Sequence, residues 1–337
     1  MKEFRARNVL ITGGAGFIGS NFVRHFQAAS PGARLVNLDL LTYAGSLENL
    51  RGLPDESGHR FVHGDICDRE LVERIMKEED IDTVVHFAAD SHVDRSTTGP
   101  EPFIQTNIVG TYTLLEAARS RWRDRFGLSA EQCRFHHIST DEVYGALGPD
   151  DLAFCETTPY RPSSPYSASK AASDHLVMAY FRTFGLPVTI SNCSNNYGPC
   201  QHIEKFIPTV VHACLDGKQI PLYGDGTNIR DWLYVEDHCA SIMAVLRRGR
   251  VGESYVIGGR NQWSNIDLAR QICDFFDREH PASTPHAELI ALVTDRPGHD
   301  WRYAIDDRKI ERELAWRPAE SFPSGLAKTI RWYVARH

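Results

Sequence analysis

With 337 residues, 42% of them hydrophobic and 24% charged, the chain is long enough to bury one large or two modest cores and has the make-up of a water-soluble globular protein. Its formal charge of −7 argues against a nucleic-acid backbone as partner, and no stretch approaches the ~18 apolar residues of a membrane span. The N-terminal MKEFRARNVLITGG runs straight into a glycine turn, so it reads as neither a signal peptide nor a membrane anchor. The eight cysteines are scattered, without a C-x-x-C pair or clustered Cys/His spacing, so reduced thiols in a cytoplasmic protein are expected, and no metal site.

Taken in order, short apolar runs alternate with helical patterns, the mark of a parallel α/β sheet. Strand one is expected at 8–12 and the helix behind it at 17–27. A strand at 34–38 ends beside Asp39, and another at 60–63 is followed by Asp65. A helix at 70–77, a strand at 83–88, a long helix at 103–120 and a strand at 134–139 follow. A helix at 166–184 and a strand at 187–191 complete the pattern. After Asn195 prolines, glycines and polar turns become frequent, as in Tyr197-Gly198-Pro199 and Tyr223-Gly224-Asp225-Gly226. The expected organisation is a doubly wound parallel sheet over 1–191, joined again by about 232–260. A smaller α+β region at 192–231 and 261–337 would bind the substrate.

Gly13, Gly16 and Gly19 follow the first strand at G-x-x-G-x-x-G spacing and open a helix with Phe17 and Ile18. Gly13 permits the tight turn, Gly16 lets backbone approach a pyrophosphate, and Gly19 allows close packing. The helix N-terminus then offers unpaired N–H groups to phosphates. Asp39 stands 20 residues after Gly19, where a carboxylate can accept hydrogen bonds from a ribose and repel the 2′-phosphate of NADP. NAD is therefore the expected cofactor, with Asp65-Ile66 near its adenine.

Tyr166 and Lys170 lie at i, i+4 on one helix face. A phenol of ordinary pKa ~10 is a poor base. A neighbouring ammonium is expected to lower that pKa so that the pair can accept a hydroxyl proton. A Tyr-x-x-x-Lys spacing alone is common on surface helices. Together with the glycine turn upstream and Ser139-Thr140 at a strand end, it resembles the extended short-chain dehydrogenase/reductase family, and the similarity runs through nearly the whole chain. That resemblance implies a Rossmann-type fold.

Five separated stretches sharpen the likeness. They are AADSHVDRS at 88–96, STDEVYG at 139–145, SNNYGP at 194–199, IRDWLYVEDH at 229–238 and DRPGHD at 295–300. In this order they resemble the dTDP-glucose 4,6-dehydratases, a branch of that family. The resemblance implies that Tyr166 accepts the C4 hydroxyl proton of a hexose, aided by Lys170, while Thr140 hydrogen-bonds the C4 oxygen. Glu142 would take the C5 proton and Asp141 would protonate the departing C6 hydroxyl. It also implies that Leu40, Thr42, Phe87, Ala88, Ala89, Thr106 and Asn196 contact NAD. Ser91, Thr140, Glu142 and Asn195 would touch the sugar or diphosphate of dTDP-glucose or a related nucleotide hexose. Lys205, Phe206, Pro221, Tyr223, Arg230, Asn265, Arg296 and His299 would line the nucleotide pocket. A homodimer through a helix bundle is the family habit and suits the apolar positions on more than one face of the helices at 103–120 and 166–184. Two other functions stay open on the sequence: a nucleotide-sugar 4-epimerase, which would leave Asp141 and Glu142 without a task, and a non-catalytic NAD-binding protein of the same fold.

Overall fold

The computed structural model describes residues 3–295 and 298–337. Its first strand, β1 (Asn8–Thr12), shows how the main sheet is built. Val9 and Ile11 point into one helical layer and Leu10 into the other, and all three are fully buried. A continuous apolar run is stable as a strand only when both faces of the sheet are covered.

The first half continues with α1 (Phe17–Ala29), β2 (Arg34–Asp39), β3 (His59–His63), α2 (Arg69–Glu78) and β4 (Thr83–His86). Two short helical turns, α3 (Val93–Thr98) and α4 (Glu101–Phe103), precede α5 (Thr111–Ala118), β5 (Arg134–Thr140), α6 (Pro165–Phe184) and β6 (Val188–Cys193). With β10 (Ser254–Ile257), the strands form one seven-stranded sheet in the order β10-β6-β5-β4-β1-β2-β3, parallel throughout. The order reverses between β1 and β4, and such a switch point opens a crevice at the C-terminal strand ends.

Local chemistry sets the helix ends. Asp68 caps α2 by accepting from the Leu71 amide. Ser164 and Ser167 cap α6 reciprocally, and Gly185 ends it in the left-handed region at φ +65°. The single helix expected at 103–120 is instead one helical run in which α5 is flanked by wider π-helical stretches, Ile104–Gly110 and Arg119–Arg125. Within the first, Asn107 exchanges hydrogen bonds with the backbone of Asp90 and donates to Ser169 on α6 at 2.8 Å. Tertiary polar partners thus accompany the departure from regular α geometry beside the crevice.

The remainder comprises β7 (Asn195–Tyr197), α7 (Phe206–Asp216), β8 (Ile220–Tyr223), β9 (Ile229–Tyr234), α8 (Val235–Arg248), β11 (Gln262–Ser264), α9 (Asn265–Glu279), β12 (Ile290–Val293), α10 (Arg308–Leu314) and α11 (Phe322–Val334). β7, β9 and β11 form a small mixed sheet, and β8 pairs with β12. Helices α7, α9 and α11 close over the small sheet around Tyr197, Trp232, Ile272, Phe276 and Ile330. Helix α8 instead returns to the main sheet, where Ile242 and Leu246 share a core with Phe22 and Phe26 of α1.

Candidate active site

The glycine turn comes first because its geometry is set by backbone alone. Gly13 has φ +72°, and a Cβ there would stand 2.6 Å from the Ala88 nitrogen. A Cβ on Gly19 would stand 2.2 Å from the Gly13 carbonyl oxygen, and one on Gly16 would stand 3.3 Å from that same oxygen. Gly19 is therefore required by the turn itself, more than by packing against the sheet. Gly14, to which no role was given above, abuts the side chain of Asn37. Beneath the turn, Thr12 bonds His86 at 2.7 Å, and His86 bonds Thr111 at 2.9 Å. Helix α1 starts here without a side-chain cap or an acidic residue in its first turn, so its amides and dipole are presented to the cleft.

Asp39 is buried at the end of β2. It accepts from the Ala15 amide at 2.9 Å through Oδ2 and from the Leu41 amide at 2.8 Å through Oδ1. Each oxygen retains a lone pair for a ribose hydroxyl. Asp65 accepts from the Cys67 amide at 2.8 Å. Leu40, Thr42, Ile66, Phe87, Ala88, Ala89, Thr106 and Asn196 line the same cleft as Gly13, Gly16, Phe17, Ile18, Gly19, Asp39 and Asp65. This cradle, bare of Cβ atoms beside an uncapped helix and closed by a carboxylate, fits a dinucleotide.

The cleft continues to the end of β5. Thr140 caps the 3-10 turn Asp141–Tyr144, accepting from the Glu142 amide at 3.2 Å and donating to Asp141 Oδ1 at 3.3 Å. Thr140, Asp141, Glu142, Tyr166 and Lys170 all line the cleft. Asp141 is 2% exposed. Burial first, then the charges of Glu142 and Asp231, hold its carboxyl well above the ordinary range, against Arg230 and Thr140. It is thereby kept as an acid.

The phenol of Tyr166 differs from the expectation. Burial and, after it, the nearby carboxylate of Glu142 push its pKa up. Lys170 is itself sealed in, donating to the Ile138 carbonyl at 2.8 Å, and burial pushes its ammonium down to about 8. Desolvation of both members outweighs the attraction that the i, i+4 spacing suggested.

At the other end of the cleft, Ser91, Asn195 and Lys205 join Thr140 and Glu142, and Lys205 Nζ donates to the Ser91 carbonyl at 3.0 Å. The remaining described candidates lie outside this cleft lining. Phe206 starts α7 with its ring 6.2 Å from Trp232. Pro221 and Tyr223 share the exposed side of β8, and Tyr223 meets His299 edge-on at 6.1 Å. Arg230 is buried over the Tyr303 ring and donates to the Asp300 carbonyl at 2.8 Å. Asn265 opens α9, its amide bonded to the Asn228 carbonyl. Arg296 lies outside the described residues.

Sequence reasoning gave no site role to Cys193, Gln201 and His202, which also line the cleft. It also passed over His137 and Asp174 behind Lys170. Asp174 carried a signal: it continues the Tyr166, Lys170 face by one more helical turn. The histidines of β5 carried none, because nothing in a strand's alternation tells a buried, bonded histidine from an exposed one.

Comparison with known proteins agrees with this geometry. The family model described as GDP-mannose 4,6 dehydratase matches residues 10–329. A dTDP-glucose 4,6-dehydratase of Shigella flexneri is 54% identical over 335 residues, covering 97% of this chain and 92% of that protein. The solved dTDP-glucose 4,6-dehydratase of Streptomyces venezuelae, with NAD and TYD bound, has a TM-score of 0.89 at 47% identity and covers 97% of each chain. That of Bacillus anthracis, in complex with NAD, has a TM-score of 0.87 at 44% identity, covering 98% of this chain and 97% of that one.

Proposed function

Because this chain belongs to the GDP-mannose 4,6 dehydratase family, within which its relatives at 54% identity are dTDP-glucose 4,6-dehydratases, we infer that it is a hydro-lyase converting dTDP-glucose to the 4-keto-6-deoxy sugar nucleotide in deoxysugar biosynthesis. The observation that carries this reading is the meeting of a buried acid, Asp141, with Glu142, Thr140 and Tyr166 in the cleft that holds the glycine turn.

The glycine turn, the α1 amides and Asp39 hold NAD at its pyrophosphate and ribose. NAD, when bound, would supply the hydride acceptor for C4 and the hydride donor for C6. Tyr166 accepts the C4 hydroxyl proton, aided by Lys170, with Thr140 hydrogen-bonded to the sugar oxygen. A ketone at C4 makes the C5 proton acidic, and Glu142 removes it. Asp141, kept protonated by burial, gives its proton to the leaving C6 hydroxyl, which departs as water. Glu142 then returns a proton to C5. Lys205, Phe206, Pro221, Tyr223, Arg230, Asn265, Arg296 and His299 line the nucleotide pocket.

The working form is a homodimer through a helix bundle. Support comes from Ile104, Val109, Tyr112 and Phe184, large apolar side chains left exposed on the α4–α5 run and α6. All eight cysteines are free thiols, which suits a cytoplasmic setting. Incubation with dTDP-glucose tests the reading. A 4-keto product, seen by its absorbance in alkali, supports it, and a galactose epimer as the sole product overturns it.

A further inference from the structure

The catalytic helix carries a third ionisable residue that the reaction above leaves unused. Asp174 lies one turn beyond Lys170 and is 1% exposed. Its Oδ2 accepts from Ser139 Oγ at 2.8 Å, Tyr160 Oη at 2.8 Å and Asn192 Nδ2 at 3.1 Å. Its Oδ1 faces His137 Nε2 at 3.3 Å, without the alignment of a hydrogen bond. The same His137 nitrogen stands 3.4 Å from Lys170 Nζ and 3.2 Å from Ser173 Oγ.

An ammonium taken out of water is not re-solvated by one carbonyl and one neutral imidazole. Something nearby must carry the opposite charge. The groups facing Lys170 are Asp174 on its own helix, His137 on β5 and Cys193 on β6. His86 on β4 lies behind His137 with ring centroids 5.1 Å apart. Burial holds both imidazoles well below their usual range, so they are neutral. The Cys193 thiol is pushed up to about 12 by burial and is neutral too. Tyr166, on the same face as Lys170, has its phenol held high by burial, and its neighbours Glu142 and Asp141 act on that phenol. Asp174 remains. Burial raises its carboxyl, while Lys170 and its three donors oppose that rise. Phenols of Tyr160 and Tyr144 face it from the segment after β5, both held protonated by burial, and His175 packs on Tyr160 at 5.3 Å.

We propose that Asp174, with the His137 ring packed between them, is a positioning residue that keeps the Lys170 ammonium charged and directed at the cleft. His137 Nε2 stands within 3.4 Å of both Lys170 Nζ and Asp174 Oδ1, so the neutral ring fills the space between the two charges. Three donors from three separate segments anchor the carboxylate, so the charge sits at a fixed place beneath Lys170. The inference rests on the catalytic reading of Lys170 given above.

The test is the titration of Lys170 in the intact protein, with lysine carrying 13C at Cε and the Lys170 resonance identified by its loss in Lys170→Arg. In Asp174→Asn the Lys170 midpoint should fall by about one pH unit or more. The alkaline limb of kcat should move down with it. In a Lys170→Arg background, where the cation does not titrate, Asp174→Asn should leave the pH profile in place. Tyr160→Phe removes one donor from Asp174 at a site away from the cleft and should give a smaller shift in the same direction. An unmoved Lys170 titration in folded Asp174→Asn, or an equal profile shift in the arginine background, overturns the proposal. Should Asp174→Asn fail to fold, an unmoved midpoint in Tyr160→Phe overturns it. The titration needs no substrate, so it still reads out if dTDP-glucose proves not to be turned over.

Discussion

The two ends of the cleft are made differently. The dinucleotide end is mostly backbone: a glycine turn, helix amides and one carboxylate, all within residues that follow one another along β1, α1 and β2. The other end consists of side chains delivered by separate segments, Ser91 after β4, Asn195 on β7 and Lys205 before α7, with the proposed nucleotide pocket of Tyr223 and His299 beyond the cleft lining. Backbone sites tolerate little change in shape, whereas side-chain sites tolerate change and thereby set preference. Between them stands the chemical centre, where burial governs Asp141, Tyr166 and Lys170 together.

Substitutions should rank accordingly. Tyr166→Phe removes the acceptor of the first proton, and kcat is expected to fall by about 10²–10⁴-fold. Rapid mixing with substrate should show no reduced-cofactor absorbance, and an undiminished signal would remove Tyr166 from its role. Glu142→Gln separates the two halves of the reaction. Product formation should drop by about 10²-fold or more, while reduced cofactor still appears on mixing. Full product formation by that variant contradicts its assignment.

Gly19→Ala probes the backbone end. Its Cβ would press on the Gly13 carbonyl at 2.2 Å, so the turn must open. A loss of about 1–3 kcal/mol in stability is expected, with weaker NAD binding, read by melting and by titration with NAD. A variant with wild-type affinity would show that the turn is more plastic than its geometry implies.

Acid should act on the main sheet first. Burial pushes His136 and His238 down to about 3, from an unfolded value near 6.5. Between these values the unfolded chain binds more protons than the folded one, so stability is lost as pH falls from 6.5 towards 3. Urea unfolding at pH 7 and pH 5 should show this, and His136→Asn should flatten the dependence. The smallest effect is expected at the side-chain end. Tyr223→Ala should raise KM for the sugar nucleotide several-fold and leave NAD affinity alone, and a change in NAD affinity would break the division between the two ends.

The same division explains what could be read before the structure. Six of the seven main-sheet strands and the glycine turn were legible because hydrophobic period and local spacing encode them directly, whereas β10 was not marked as a strand. Tyr166 and Lys170 were legible as a spacing, but not in their electrostatics, since burial depends on β5 and β6 packing around them. Tyr223, Asn265 and His299 rested on resemblance alone, because contacts between distant loops leave no local pattern. The π-helical turns around Thr111 were hidden for a related reason: their partners, Asp90 and Ser169, lie on other elements. Asp174 was visible as the next turn of a marked helix face, yet its partners Ser139, Tyr160 and Asn192 were not.

The central claim is that oxidation at C4 is temporary and that the hydrogen removed there returns to the same sugar. Turnover of dTDP-glucose carrying deuterium at C4 tests it directly. The account predicts a 4-keto-6-deoxy product with that deuterium at C6, and a single solvent-derived hydrogen at C5. Deuterium retained at C4 of an epimerised sugar, or lost from the product altogether, would contradict it.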